Sequence, residues 1–198
     1  MKSSFLIDCQ RRNSNLYPTW RTAFLLTVKD HGLQALAGYR LGRHMMDLRQ
    51  QGRGYLLRCI GWPCYYILSI YARIALDIRL DLTADIGPGF YIGHFGNIKI
   101  EKCRIGEHCS IAQSTHLRAD ETGQGPIVGN RVWIGAHAQV VGPRRIEDGA
   151  TVSAGSVLLR DLPSRALCLG NPARVIISDY DNSEILVAAP LQIARRIP

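Results

Sequence analysis

A histidine that lies between two glycines is the residue of this sequence best suited to chemistry. His94 belongs to the segment Ile92-Gly93-His94-Phe95-Gly96, in which little side-chain bulk crowds its imidazole ring. An imidazole with its ordinary pKa of about 6.5 is mostly neutral near neutral pH. That suits a general base that removes a proton from a hydroxyl group. His94 is therefore a candidate catalytic base, and the alternative is a surface histidine on a turn.

The cysteines and the other histidines form no metal motif. The six cysteines include no Cys-x-x-Cys pair, and no group of cysteines and histidines has the spacing of a zinc site. His108, His116 and His137 are separated by 8 and 21 residues, which does not match the spacing of zinc-binding histidines. We therefore expect free thiols in a reducing compartment and no metal.

Apolar residues recur at every sixth position of the second half of the chain. An α-helix repeats every 3.6 residues and a strand every 2, so a period of six belongs to neither as an isolated element. Such hexads are typical of a parallel β-helix. The regular run comprises Val128, Ile134, Val140, Ile146, Val152 and Leu158, and the same period holds upstream at Ile86, Ile92 and Ile98 and at Ile105, Ile111 and Leu117.

Two interruptions divide these hexads, a one-residue insertion at 102–104 and a longer excursion at 118–126. The twelve hexads predict about four coils of a three-sided prism. Glycines that directly follow the repeat residues suit tight corners. A β-sandwich is the alternative, but its turns come at looser spacings. His116 lies beside the excursion.

The region before the hexads is predicted to be helical. Residues 1–16 are polar and look loosely ordered, whereas the apolar spacing from Thr19 to about Arg49 fits one helix. Residues 55–76 are the most hydrophobic stretch, but only 14 of them lie between Arg58 and Arg73, too few to span a bilayer. We expect this segment to lie in the membrane interface or to pack on the solenoid or a neighbouring subunit. The predicted regions are 1–76, helical; 77–177, the β-helix; and 178–198, a tail.

The net charge of +8 favours acidic partners, such as phosphorylated cofactors or anionic lipid surfaces. The sequence has no dense run of lysine and arginine interleaved with aromatic residues, so we expect no nucleic-acid partner. Its first dozen residues include Asp8, Arg11 and Arg12 and lack the apolar core of a secretory signal. The predicted location is the cytoplasm, with contact at the inner face of the membrane if residues 55–76 are interfacial.

These motifs together resemble the hexapeptide-repeat acyltransferases, specifically the serine acetyltransferase branch. The resemblance rests on the hexads, on the glycine-flanked His94, on the excursion and on the closing segment Gly170-Asn171-Pro172-Ala173-Arg174, and it extends upstream to 31–42. It implies a left-handed parallel β-helix, at least a homotrimer, and acetyl-CoA in the groove between neighbouring β-helices. It also implies that His94 is the base. His116 becomes a second catalytic candidate, because in this family the excursion beside it leans over the site. The residues it suggests for the cofactor are Gly135, Ala136, Ser153, Ala154, Arg160 and Arg174.

The chain also departs from the pattern of that branch. The aspartate before the histidine is Gly93 here, and a count without gaps puts Arg79 where a carboxylate should orient His94. Asp77 or Asp81 could take that place if the alignment shifts, and Asp81 is the predicted catalytic carboxylate.

The histidine that the family places at the end of the excursion corresponds approximately to Gly125, and the family's upstream Arg-Asp-Pro, which helps to hold the amino acid, is represented at best by Leu16-Tyr17-Pro18. Together these losses remove most of the charged groups that would bind a zwitterionic amino acid, and buried charges without partners bind poorly. The leading hypothesis is therefore an O-acetyltransferase that acts on a saccharide of an exopolysaccharide, capsule or lipid-linked glycan. The alternatives are serine O-acetylation in cysteine synthesis and a β-helix scaffold without catalysis.

Overall fold

A computed structural model describes residues 4–12, 19–52, 54–93 and 96–187 of the chain. Four helices come first: α1 (Ser4–Arg12), α2 (Trp20–Lys29), α3 (His31–Gln50) and α4 (Tyr55–Ala75). The segment that was expected to be loosely ordered therefore contains a helix. The single helix expected from Thr19 to about Arg49 is two helices, because the Asp30 carboxylate caps α3 by accepting a hydrogen bond from the Leu33 N–H at 2.9 Å.

In the described residues fifteen short strands follow the helices, and fourteen of them stack in parallel to form a solenoid. Sheet A contains β1 (Ile78–Leu80), β4 (Ile98–Ile100), β7 (His116–Arg118), β10 (Gln139–Val141) and β13 (Val157–Leu158). Sheet B contains β2 (Asp85–Ile86), β5 (Arg104–Ile105), β8 (Ile127–Val128) and β11 (Arg145–Ile146). Sheet C contains β3 (Tyr91–Ile92), β6 (Ser110–Ile111), β9 (Trp133–Ile134), β12 (Thr151–Val152), β14 (Leu167–Gly170) and the antiparallel β15 (Ala173–Ile177).

The predicted parallel β-helix is confirmed, with about five coils where the hexads predicted about four. A fifth coil exists because the spacing of the apolar residues shortens to four between Leu158 and Leu162 and returns to six at Cys168. Leu162 bridges to Ile146, and Cys168 pairs with Val152, so both continue the stack. A strict six-residue count ends before this coil.

The repeat residues form the core of the prism. Every one of the twelve predicted positions is buried. The small or β-branched residues four places later are buried as well: Cys109, Thr115, Val132, Ala138, Ala150 and Ser156. The apolar pattern therefore predicted the interior of the solenoid residue by residue.

A column of glycines occurs where sheet B turns into sheet C. A Cβ on Gly87 would lie 2.6 Å from the Gly106 carbonyl oxygen, and one on Gly106 would lie 2.6 Å from the Gly129 carbonyl oxygen. None of the three has a positive φ. Close stacking of successive coils, rather than a left-handed backbone, therefore requires glycine at these corners.

The helices pack against the first coils, and the segment after β15 contacts α1. A buried ion pair joins α1 to α3, because Asp8 lies 3.0 Å from Arg40 Nε. The same carboxylate accepts a hydrogen bond from the Phe90 N–H at 2.9 Å. After β15 the chain forms α5 (Ser183–Val187), and the Leu186 carbonyl accepts a hydrogen bond from Arg11 at 3.3 Å.

Candidate functional site

The corners between sheet C and sheet A bring four of the predicted site residues, Gly135, Ala136, Ser153 and Ala154, to one edge of the prism. We call this edge the C–A edge; its described residues are 93, 96–97, 112–115, 135–138 and 153–156. Backbone hydrogen bonds stack its corners, from the Gly93 N–H to the Ile111 carbonyl at 2.8 Å and from the Gly135 N–H to the Val152 carbonyl at 2.8 Å. Residues about 20 positions apart in sequence therefore lie directly above one another.

His94 and Phe95 lie outside the described residues. Gly93 is half-buried, and Gly96 has a φ of 112° and open space where a Cβ would be. These two glycines, the described residues nearest to His94 in sequence, therefore add no side-chain bulk to the corner, and the role of His94 stays a prediction.

An aspartate and a histidine meet at this same corner. Asp77 Oδ2 accepts a hydrogen bond from the Asn97 N–H at 3.0 Å. His116 Nε2 lies 3.1 Å from the Asn97 carbonyl oxygen and 3.2 Å from its Oδ1. A backbone carbonyl can only accept, so Nε2 must carry the proton and Nδ1 is left as the acceptor of a neutral ring.

The surroundings of His116 favour its neutral form. Burial is the main reason that its pKa is lowered, and the cationic side chains of Lys99 and Arg118 act in the same direction. The hydrogen bond to the Asn97 backbone works against them. A neutral imidazole beside the C–A edge can take up a proton or position a substrate group.

Asp81, the predicted carboxylate, lies at the other end of sheet A. It follows β1, and its Oδ1 accepts hydrogen bonds from the Thr83 N–H at 2.7 Å and the Thr83 hydroxyl at 2.8 Å. Asp77 precedes the same strand. Four residues of chain separate Asp77 from Asp81 by about 13 Å, so Asp77 is the one at the corner of Asn97.

The outer face of sheet A carries charges of both signs. Pairing of the strands places Arg79, Lys99 and His116 in one outward column. A cavity of about 260 Å³ lies between this face and helices α3 and α4, and Asp81 and Glu101 contribute carboxylates to its lining. A small zwitterion would find partners for both of its charges here.

The predicted cofactor residues divide into two groups. Gly135, Ala136, Ser153 and Ala154 lie on two successive corners of the C–A edge, where they form a shelf with small side chains. The corners are tightly stacked, since a Cβ on Gly135 would lie 2.5 Å from the Ala154 nitrogen. This shelf suits an extended chain such as a pantetheine arm.

The two predicted phosphate-binding arginines lie apart. Arg174 lies on β15 opposite Leu169, whereas Arg160 follows β13 at the far end of sheet A. Both are exposed, and neither makes a side-chain hydrogen bond or ion pair with the described ranges. Across those same ranges no group of three His, Cys, Asp or Glu side chains is arranged to hold a metal ion.

Sequence reasoning missed an arginine that holds the backbone just before His94. Arg12 donates a hydrogen bond to the Ile92 carbonyl at 3.2 Å and pairs with Asp30. Its guanidinium also lies 4.6 Å from the centre of the Tyr91 ring. Its contacts with Tyr91 and Ile92 come from residues about 80 positions away, so nothing in the local sequence signals this role.

The sequence is similar to those of enzymes whose activity is known. A serine acetyltransferase of Helicobacter pylori is 32% identical over 169 residues, which cover 82% of this chain and 91% of that protein. The chain belongs to the serine acetyltransferase family. The predicted class, a hexapeptide-repeat acyltransferase, is thereby confirmed.

Other matches in this family are longer proteins. A serine acetyltransferase of Synechococcus elongatus is 34% identical over 114 residues, and the match spans 56% of this chain and about half, 47%, of that relative. A solved serine acetyltransferase in complex with CoA has a TM-score of 0.65 and 27% identity, covering 87% of this chain and 68% of that one. No family model matches the sequence.

These relatives overturn the leading hypothesis of a saccharide acceptor, which is wrong. That hypothesis relied on an alignment without gaps. The alignment did not find the family's charged residues at the expected positions, and the hypothesis therefore assumed that the site has few charges. The stacked coils bring charges from other positions instead, including Asp77 at the C–A edge and Arg79 and Lys99 on sheet A.

Proposed function

We propose that this chain transfers the acetyl group of acetyl-CoA to the hydroxyl group of L-serine, giving O-acetylserine and CoA. The observation that carries the proposal is the match with the Helicobacter pylori serine acetyltransferase, because it extends over nearly the whole of that protein. It therefore includes both the helices and the β-helix.

The reaction needs a general base that can reach the hydroxyl group of serine at the C–A edge. In the proposed reaction, His94 removes the proton from the serine hydroxyl as its oxygen attacks the thioester carbonyl. The tetrahedral intermediate then collapses, the carbon–sulfur bond breaks, and the proton passes to the leaving CoA thiolate. Asp77 and His116 flank this corner, and we assign to Asp77 the orientation of the base and to His116 a contact with the acceptor.

The charges on sheet A favour an amino-acid acceptor over a neutral one. The outward column of sheet A places Lys99 directly beside His116, where it can pair with the carboxylate of an amino acid. Charge-assisted hydrogen bonds of this kind are stronger than neutral ones.

The shelf on the C–A edge is the proposed place for acetyl-CoA. Its small side chains allow the pantetheine arm to lie along the backbone, and Arg160 and Arg174 are available for phosphates. The shelf is open in a single chain, since Ala154 and Gly155 are exposed. We propose that a neighbouring copy covers it, in a homotrimer or a larger assembly.

The test measures CoA thiol release from acetyl-CoA with L-serine, with L-alanine as an acceptor that lacks the hydroxyl group, and identifies O-acetylserine by mass. We expect release with serine alone. Replacement His94→Ala should lower kcat by about 10²- to 10⁴-fold, the usual contribution of a general base.

His108→Asn is the matched control. His108 is exposed and lies at a different corner of the prism, between sheets B and C. Its φ of 55° is a left-handed conformation that asparagine also adopts. It should retain activity. Full activity of His94→Ala would disprove the role of the base, and a parent protein that neither binds CoA in calorimetry nor releases thiol would support the non-catalytic scaffold instead.

A further inference from the structure

Helix α4 carries an apolar surface on two sides, and one side is sealed by α3. A Cβ on Gly61 would lie 2.2 Å from Met45 Sδ, and one on Gly42 would lie 2.7 Å from the Tyr65 ring. Ala72 on the same side is buried. The packing of α4 on the rest of the chain is therefore complete on this side.

The opposite side of α4 is a stripe of large apolar residues without a covering. Leu56, Ile60, Ile67, Ile70 and Ile74 recur at helical spacing and are between 54% and 80% exposed. Single exposed apolar residues are normal, but a continuous stripe over the length of a helix marks a contact surface. Across the described ranges no helix is long and apolar enough to cross a bilayer.

Helix α2 extends this surface. Its exposed side carries Trp20, Phe24, Leu25 and Val28, each at least 59% exposed. Gln34 links the two helices, because it donates to the Val28 carbonyl at 3.0 Å and accepts from the Tyr71 hydroxyl at 3.0 Å. We call the exposed sides of α2 and α4 together the apolar face.

The charges on these two helices have a single sign. Helices α2 and α4 contain Arg21, Lys29, Arg58 and Arg73 and no aspartate or glutamate. Trp62 and Tyr66 form an aromatic cluster, with ring centres 6.0 Å apart. Apolar residues combined with aromatic side chains and arginines are the composition of helices that lie in the headgroup region of a membrane.

We propose that the apolar face docks on the surface of an anionic lipid bilayer, with α2 and α4 lying in the plane of the interface. The isoleucines and leucines enter the boundary of the acyl chains, and the exposed cations Arg21 and Lys29 of α2 pair with lipid phosphates. This contact is separate from the proposed acetyl transfer and does not depend on it.

A second copy of this chain fits the same face less well. An isologous contact would bring together two surfaces that each carry cations and no carboxylate, so no opposite charge would meet the arginines. The exposed apolar residues of α4 also include Tyr55, Leu57, Tyr66 and Tyr71. They cover more of the helix than the narrow seam of a helix pair.

The test is cosedimentation of the full chain with vesicles of phosphatidylcholine alone and of phosphatidylcholine mixed with phosphatidylglycerol. We expect binding to the anionic vesicles, weakened by added salt, and little binding to the zwitterionic ones. The double replacement Ile67→Ser, Ile74→Ser should weaken binding at least about tenfold, because it removes two apolar anchors from the lipid.

The matched control is Ile176→Ser, Ile177→Ser, which changes two exposed isoleucines on β15, outside the apolar face. It should bind as the parent does, and circular dichroism should show the same fold for both variants. Equal binding to both vesicle types, or none to either, would overturn the proposal. So would a parent that fails to bind lipid and whose oligomer dissociates on Ile67→Ser, Ile74→Ser, since the face would then be an interface between copies.

Discussion

The buried ion pair between α1 and α3 is the contact whose loss should most destabilise the N-terminal region. The Asp8 side chain is fully buried, and its carboxylate pairs with Arg40 and accepts from the Phe90 N–H at 2.9 Å. Arg40 in turn donates to the Gly87 carbonyl at 2.6 Å. One pair thus joins two helices to the first coil.

Asp8→Ala leaves the Arg40 guanidinium, only 15% exposed, without its counter-ion. Loss of one partner of a buried pair costs about 3–5 kcal/mol. Arg40 keeps its carbonyl acceptors, so we expect about 3 kcal/mol, at the lower end of that range. Urea unfolding at a fixed protein concentration should show this as a lower transition midpoint.

Asp85→Ala is the matched control. Asp85 pairs with Arg43, one turn along α3, at 3.4 Å, but its side chain is 64% exposed. An exposed pair contributes at most about 1 kcal/mol, so this variant should unfold close to the parent. Similar losses for Asp8→Ala and Asp85→Ala would refute the reasoning from burial.

The pH dependence gives an independent check on Asp8. Burial raises the pKa of Asp8, and the charge and hydrogen bond of Arg40 lower it, so Arg40→Met should raise it further. The folded state then binds the proton more tightly than the unfolded state, and stability falls as the pH rises above the ordinary aspartate range. Between about pH 4 and pH 7 the free energy of unfolding of Arg40→Met should therefore fall relative to that of the double variant Asp8→Ala, Arg40→Met, which lacks the titrating carboxyl group. A difference between the two variants that does not change with pH would contradict this reasoning.

Three further outcomes follow from the site. Arg12→Ala frees the Ile92 carbonyl before His94, so it should lower kcat roughly tenfold with little change in KM, as expected for lost positioning, measured by steady-state kinetics. Gly135→Ala places a methyl group against the next coil, so calorimetry should show weaker CoA binding and scanning calorimetry a lower Tm. Lys99→Met removes one cation that lowers the pKa of His116, so NMR titration should show that pKa move up towards its ordinary value.

The solenoid could be predicted from the sequence because its interior repeats with the coil. Each hexad places one apolar residue inside the prism, so position and burial follow from the same count, as at Ile134 and Val152. The count fails where the spacing changes, at Leu162 and at Ile78, which lies eight residues before Ile86. The prediction succeeded because the six-residue period of the sequence is also the period with which the chain turns from one side of the prism to the next.

The N-terminal helices were harder to predict because their stability depends on distant contacts. Helix α1 is polar, and its Asp8 and Arg11 are satisfied by Arg40 and by backbone carbonyls of the first two coils, 32 to 98 residues away. The break between α2 and α3 depends on one capping carboxylate, Asp30. Apolar periodicity has no information on either feature.

The sequence and the structure favour different aspartates as the carboxylate that orients the base. A count back from His94 leads to Arg79 and then to Asp81, but a three-residue strand carries the chain from one corner of the prism to the next. Asp77 therefore lies at the C–A edge with Asn97, whereas Asp81 is bound to Thr83 at the far corner.

Paired substitutions can decide between these carboxylates. Asp77→Asn keeps the shape of the side chain and its oxygen acceptor for the Asn97 N–H, but it removes the negative charge that would orient and stabilise a protonated His94. We expect a loss in kcat of about tenfold or more, with the acidic limb of the pH profile moved to lower pH because the base loses its anionic neighbour. Asp81→Asn should leave that limb in place. If Asp81→Asn shifts the limb and Asp77→Asn does not, the carboxylate chosen by counting is the functional one, and the corner assignment fails.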